Sequence, residues 1–308
     1  MKKEYLLSTC LLASVLMITA CGGEENQEAG ANSTDQTSQT EGNDGGKDES
    51  EDSSDREDWP DPFVYGILPA EDQQVLSNRY EPLEEYLENE LGVEVEFFQG
   101  TDYNAMIEAM RNGHIHATHY GPFSYILAAD RGNAEAFAMG VESEDEATYQ
   151  SYIVTLEDNG IEELEDLEGA DFAWVDAAST SGHLFPKGHI INELGLSAEE
   201  VDNMFANTIF AGGHDTALLA LLNGDVDAAG VGDFIVERIS DTHGDHDNLD
   251  QVKVIAETDD IPRGPDAIHA ICRKVLRKRW LKRSTLCIKI HPWKNLWRNL
   301  IIKADFYL

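Results

Sequence analysis

Asp176-Ala177-Ala178-Ser179-Thr180-Ser181-Gly182-His183-Leu184-Phe185-Pro186 is the stretch on which the reading of this 308-residue chain turns. Before it, Ala170-Asp171-Phe172-Ala173-Trp174-Val175 has the content of a short buried strand. After it, Lys187 to Leu194 sets Ile190, Ile191 and Leu194 on one helical face. Three hydroxyl residues and a glycine therefore stand where a strand hands over to a helix. Such a turn aims backbone N–H groups and hydroxyls at one point on the positive end of a helix dipole, which suits a tetrahedral oxyanion. On these residues alone a plainer reading stays open, in which Ser179 or Ser181 only caps the helix.

Working outward, Phe63 to Pro69 reads as a first strand and turn, and Tyr80, Leu83, Leu87 and Leu91 recur at helical spacing until Gly92. Val93 to Phe97 alternates as a strand. Thr101-Asp102 caps a helix with Met106, Ile107 and Met110 inward. A strand from Ile115 to Tyr120, a helix from Phe123 to Arg131 and a strand from Ala136 to Met139 follow. A second round has strands at 151–156, 170–175, 205–210, 226–231 and 252–257, with helices at 161–167, 187–194 and 216–222. This alternation predicts an α/β fold of two lobes, each with a mostly parallel sheet, and a cleft between them. Ligands of such sheets bind beyond the carboxyl ends of the strands, where Tyr120, Ser179 and His214 fall. The expected division is 59–153 for lobe 1, 154–252 for lobe 2 and 253–270 for a return to lobe 1. Hinge segments are expected near Ser151–Thr155 and Gln251–Ala256.

The formal net charge is −37, from 59 Asp/Glu against 22 Lys/Arg. Residues 24–58 hold thirteen acids against Lys47 and Arg56, among Gly, Ser, Asn, Thr and Gln, so 21–58 is expected to be a disordered, self-repelling tether. The body from Trp59 to Ala270 has seven Lys/Arg and no cysteine. That excludes nucleic acid as a partner, a disulfide framework and a thiolate metal site. Such acidity fits a salty, halophile-like habitat. Lys2 and Lys3, the apolar run Leu6 to Met17 and Ile18-Thr19-Ala20-Cys21 make an export signal. The last four residues resemble a bacterial lipobox. By that resemblance residues 1–20 are removed and Cys21 is lipidated, anchoring the protein to the outer face of the cell membrane.

Five motifs occur in order: Asp102-Tyr103, Tyr120-Gly121-Pro122, Ser179-Thr180-Ser181-Gly182 with Pro186, Gly213-His214-Asp215, and Ile261-Pro262 with Gly264-Pro265. With them the chain resembles the substrate-binding proteins of phosphate/phosphite/phosphonate ABC transporters (PhnD-like, type II periplasmic-binding fold) over about Phe63 to Ala270. The resemblance implies a receptor that delivers its ligand to an ABC permease and ATPase, with no catalysis and no cofactor. It implies that Ser179, Thr180, Ser181 and His214 grip the oxyanion and that Tyr103 and Tyr120 donate from the first lobe. Of two carboxylates that hold a ligand amine in aminophosphonate-binding members, one aligns near Asp233. The other falls at Gly264, which shifts the expected ligand towards phosphate, phosphite or a small alkylphosphonate.

Two rivals come from other classes: a ligand-sensing receptor subunit for a membrane kinase, and a metal-dependent phosphatase. His114-x-His116-x-x-His119 carries a zinc reading, but on a regular strand His119 faces away from the other two. Ser181 and His183 lack the surroundings of a nucleophile and its base. Residues 271–308 hold eleven Lys/Arg and the single acid Asp305, with Trp280, Trp293 and Trp297. We read this tail as the product of a frameshift near Ala270 in preference to a membrane-surface segment.

Overall fold

The computed structural model describes residues 59–140, 147–244 and 246–272, all within one compact unit, Glu49–Leu308. Cys21, the acidic tether and the basic tail from Arg273 onward lie outside the described residues. The first part runs β1 (Phe63–Ile67), α1 (Gln73–Leu91), β2 (Val95–Gln99), α2 (Tyr103–Arg111), β3 (Ala117–His119), α3 (Pro122–Arg131) and β4 (Ala134–Ala138). Next come β5 (Thr148–Tyr149), β6 (Ser151–Leu156), β7 (Asp171–Trp174), α4 (Phe185–Leu194), α5 (Ala198–Met204), β8 (Asn207–Phe210) and α6 (His214–Leu222). The described chain closes with β9 (Ala228–Gly232), α7 (Asp233–His243), β10 (Val252–Glu257), β11 (Ile261–Pro262) and β12 (Asp266–His269).

Two five-stranded sheets result, ordered β2-β1-β3-β12-β4 and β10-β6-β9-β7-β8. The expected α/β architecture is present, but the sheets are not mostly parallel as expected: in each, two of the four strand pairings are parallel and two antiparallel. In each sheet the strand–helix–strand core is parallel: β1 with β2 and β3, and β7 with β8 and β9. The strand arriving from the other sheet runs antiparallel to both neighbours, β12 in the first and β6 in the second.

β6 and β10 each lie whole within the second sheet, so the boundaries expected at 153/154 and 252/253 fall inside or at the edge of single strands. The crossing is instead a small ribbon in which β5 pairs with β11, Tyr149 opposite Ile261 and Thr148 opposite Pro262. The segments expected as hinges, near Ser151–Thr155 and Gln251–Ala256, thus lie almost wholly in sheet strands beside this ribbon. Ile153 and Val154 are fully buried, and a strand enclosed on both faces belongs to a sheet core, not to a connector.

Local chemistry explains most helix limits. Asp72 caps α1 by accepting the Gln74 and Val75 N–H groups, and Gly92 ends it in the left-handed region at φ 69°. Leu76, Leu87 and Leu91 bury one face of α1 against Phe63, Tyr65 and Val95. α5 and α7 were not anticipated. α5 does carry a sequence signal, the capping box of Ser197 and Glu200. α7 buries Ile235 and Ile239, with Phe234 and Val236 packed beside them, but its apolar residues crowd into the first turn and a half and only Ile239 continues the stripe.

Candidate functional site

Six strands, β1, β2 and β3 of the first sheet and β7, β8 and β9 of the second, each lead to a helix amino terminus. These ends meet across a closed seam. Asp215 Oδ2 accepts from the Asp72 N–H at 2.6 Å, and Ala70 O from the His214 N–H at 2.7 Å. Asp176 Oδ2 accepts from the Tyr103 N–H at 3.3 Å, and Thr180 Oγ1 from the Phe123 N–H at 2.9 Å. Side chains on the second-sheet side thus cap α1, α2 and α3 on the first.

The caps differ in charge. Carboxylates sit on α1 (Asp72, Asp215), α2 (Asp102, Asp176), α6 (Asp215) and α7 (Asp233). α3 and the turn leading into α4 have hydroxyls on their helix-end amides: Thr180 on Phe123, and Ser179 Oγ accepting the Gly182 N–H at 3.0 Å, while the Asp176 carboxylate accepts the Ala178 N–H at 2.7 Å just before the turn. Those two positive helix ends therefore have no carboxylate as a direct cap, and both lie at the Ser179-Thr180-Ser181 turn.

The turn is wider than an α-helical one, because the Leu184 N–H reaches back to Ser179 O at 3.1 Å. The Thr180 and Ser181 amides precede the first intrahelical bond and stand as open donors. Gly182 is required here: a Cβ would lie 2.2 Å from Val175 Cγ2. The Ser151 hydroxyl holds the turn from β6 by donating to Ser181 O at 2.6 Å, and Thr258 Oγ1 in turn accepts the Ser151 N–H. Ser179, Thr180 and Ser181 are all buried.

Two phenols meet this turn. The Tyr103 phenol lies beside Ser179, and burial first, then the Asp176 carboxylate, push its pKa far above the ordinary value. Tyr149, on the β5–β11 ribbon, has its phenol beside Ser181 and Thr180. Burial is the main cause that pushes it up to about 12, with Ser181 opposing. Both stay protonated, as donors, at neutral pH. Sequence reasoning missed Tyr149, because nothing around it marks a motif and its place is set by the ribbon pairing alone.

Tyr120 is placed otherwise than expected. It is fully buried, its hydroxyl makes a long bond to Met106 O at 3.4 Å, and its N–H donates to Pro265 O at 3.0 Å. Its hydroxyl is thus spent within the first-sheet half, on α2.

His214 is 3% exposed, and its Nδ1 accepts the Gly232 N–H at 3.0 Å. That bond leaves the proton on Nε2. Burial is the main cause that lowers its pKa to about 4, against a smaller upward pull from Glu71. His214 is therefore neutral at pH 7 in this state and offers an N–H donor. The Asp233 carboxylate spans the crossing. Its Oδ2 accepts the Gln150 N–H at 3.0 Å and its Oδ1 the Phe234 N–H at 2.7 Å.

Gly264 packs on the carbonyl of Tyr120, where a Cβ would come within 1.7 Å, so this backbone admits no side chain there. Glu71, also buried, is held by Arg79 through two bonds, at 2.5 and 3.0 Å. The three histidines of the zinc reading do not converge. His114 is exposed, His116 Nδ1 accepts the Val64 N–H, and His119 faces Asp266 at 3.6 Å. His183 packs on Trp174 with its Nδ1 at Ala177 O.

The family model described as ABC transporter, phosphonate, periplasmic substrate-binding protein matches residues 65–279. This chain belongs to that family. Among members, the phosphate-import protein PhnD of Mycolicibacterium smegmatis is 36% identical over 195 residues, 61% of this chain and 60% of that one. The phosphonates-binding periplasmic protein of Escherichia coli is 31% identical over 205 residues, 65% of this chain and 59% of that one. The alignments thus span about three fifths of the relatives' length. The crystal structure of the binding-protein component of a phosphonate ABC transporter from Pseudomonas aeruginosa superposes with TM-score 0.65 at 26% identity. The match covers 73% of this chain and 76% of that one. The family match covers both sheets, the ribbon between them and all the residues gathered at the Ser179 turn.

Proposed function

We propose that this protein is an extracytoplasmic receptor that captures phosphonate, phosphite or phosphate between two lobes and presents it to an ABC permease and ATPase. It performs no bond-making chemistry. The observation that carries this reading is the pair of helix ends capped directly by hydroxyls, at Thr180 and Ser179, with neutral donors around them. Ser179, Thr180 and Ser181 supply hydroxyls and amides, Tyr103 and Tyr149 supply phenols, and His214 supplies Nε2–H. Neutral donors let a chain of net charge −37 bind an anion, because the attraction is local and made by fixed dipoles. Tyr120 serves the packing of the first lobe, and Asp233 ties the crossing at Gln150.

The ligand follows from what surrounds the donors. Gly264 leaves no room for a carboxylate, and Asp233 and Glu71 already hold other partners, so a ligand ammonium group would lack a counter-charge. Phosphate, phosphite or a small alkylphosphonate is the better fit. We further assign Cys21 as a lipid anchor, residues 1–20 as the cleaved signal, and a saline environment as the working condition. The supporting features are the basic and apolar start of the chain and its acid excess.

Calorimetric titration in high salt with phosphate, phosphite, methylphosphonate and 2-aminoethylphosphonate tests the reading. The expected result is tight binding of one or more of the first three, lost in Ser181→Ala and His214→Ala. A folded protein that binds none of the four, or binds them equally in both variants, would refute it.

A further inference from the structure

A cavity opens at the amino ends of β1 and β3, the opposite end of the first sheet from the Ser179 turn. Trp59, Arg111, Asn112, His116, His269 and Cys272 are among its lining. Among the described residues no Asp or Glu lines it. Trp59 is 6% exposed, and among the described residues its Nε1–H is the buried side-chain polar atom left without a hydrogen-bond partner. An unpaired buried N–H destabilises the fold until an acceptor reaches it.

The two histidines add donors of the same kind. His116 Nδ1 accepts the Val64 N–H at 2.9 Å and His269 Nδ1 the Ile271 N–H at 3.3 Å, so each neutral ring carries its proton on Nε2. Neither is then free to ligate a metal through that nitrogen. Arg111 brings the full positive charge, its exposed partner Glu108 being 3.4 Å away. Among the described residues the lining is therefore rich in N–H donors and holds no carboxylate.

We propose that this cavity is a second anion site, separate from the cleft, which takes a small carboxylate or phosphate ion against the Trp59 and imidazole N–H groups and the Arg111 guanidinium. The donors match either ion, because both present oxygen atoms that accept two or more N–H bonds while the guanidinium supplies the counter-charge.

The test follows the Trp59 indole N–H resonance of the full chain at neutral pH during titration with sodium acetate, sodium phosphate and, at matched ionic strength, sodium chloride. A saturable shift with acetate alone identifies a carboxylate site, with phosphate alone a phosphate site, and with both a general oxyanion site. Arg111→Met is expected to weaken that binding by about tenfold, and Asn112→Asp, which puts a carboxylate in the lining, to do the same. Phosphite affinity of the cleft should stay unchanged in both variants. Shifts that follow ionic strength alike in all three salts, or saturable shifts that persist in both variants, overturn the site.

Discussion

At the scale of single residues, His214 joins stability to pH. Its folded pKa is about 4, below the ordinary 6.5, because burial favours the neutral ring. The unfolded chain therefore takes up this proton first. The contribution is fully present above about pH 6.5 and is lost as pH falls towards 4, beneath which the folded protein also protonates. The difference corresponds to roughly 3 kcal/mol across that window. His116, His183 and His269 are lowered in the same direction, also mainly by burial, so the residue must be isolated by substitution. Unfolding free energies of the parent and His214→Gln, measured by denaturant titration at several pH values, should show a shallower acid loss in the variant. Parallel curves would remove His214 from the account.

At the scale of elements, the decisive unit is the turn between β7 and α4. Gly182 lets the chain pass Val175, Ser151 anchors the turn from β6, and Thr180 caps α3 across the seam. A single hydroxyl thus serves a helix of the first half while sitting among the donors of the second. Thr180→Val keeps the shape and deletes the acceptor, at a cost of about 1 kcal/mol for the cap and a similar amount for a ligand contact. Affinity for phosphite is expected to fall by roughly tenfold or more, with Thr180→Ser restoring most of it. Calorimetry of the two variants side by side checks this, and unchanged affinity in Thr180→Val would place the ligand elsewhere.

At the scale of the molecule, a charge of −37 loads the folded state with self-repulsion that unfolding relieves. Cations in this protein are few, and the ion pairs Arg79–Glu71, Lys187–Asp202 and Lys253–Glu162 engage three of them. Salt screens the repulsion over a Debye length of about 10 Å at 0.1 M and about 3 Å at 1 M. The midpoint of thermal unfolding should therefore rise steadily with sodium chloride between these concentrations. A flat or falling curve would show that local pairing, not net charge, governs stability.

Much of the fold was legible in the sequence because its signals are local. Helical spacing in Leu83, Leu87 and Leu91, the stop at Gly92 and the strand runs around Trp174 and Ile153 need no knowledge of distant partners. The Ser179–Gly182 turn was legible for the same reason, since one strand and one helix are enough to aim it. Tyr149 and Tyr120 were not. Both are tyrosines near a strand end, and which hydroxyl reaches the turn depends on the pairing of β5 with β11 and on the packing of Tyr120 against α2. The capping of one half's helices by the other's side chains was equally hidden, because Asp176, Thr180 and Asp215 lie far in sequence from Tyr103, Phe123 and Asp72. The sequence by itself determined the α/β alternation, the hydroxyl-rich turn between β7 and α4 and the acid excess. Tertiary structure alone decided which donors converge, the neutral state of His214 and the crossing ribbon, because burial and long-range hydrogen bonds exist only once the two sheets meet.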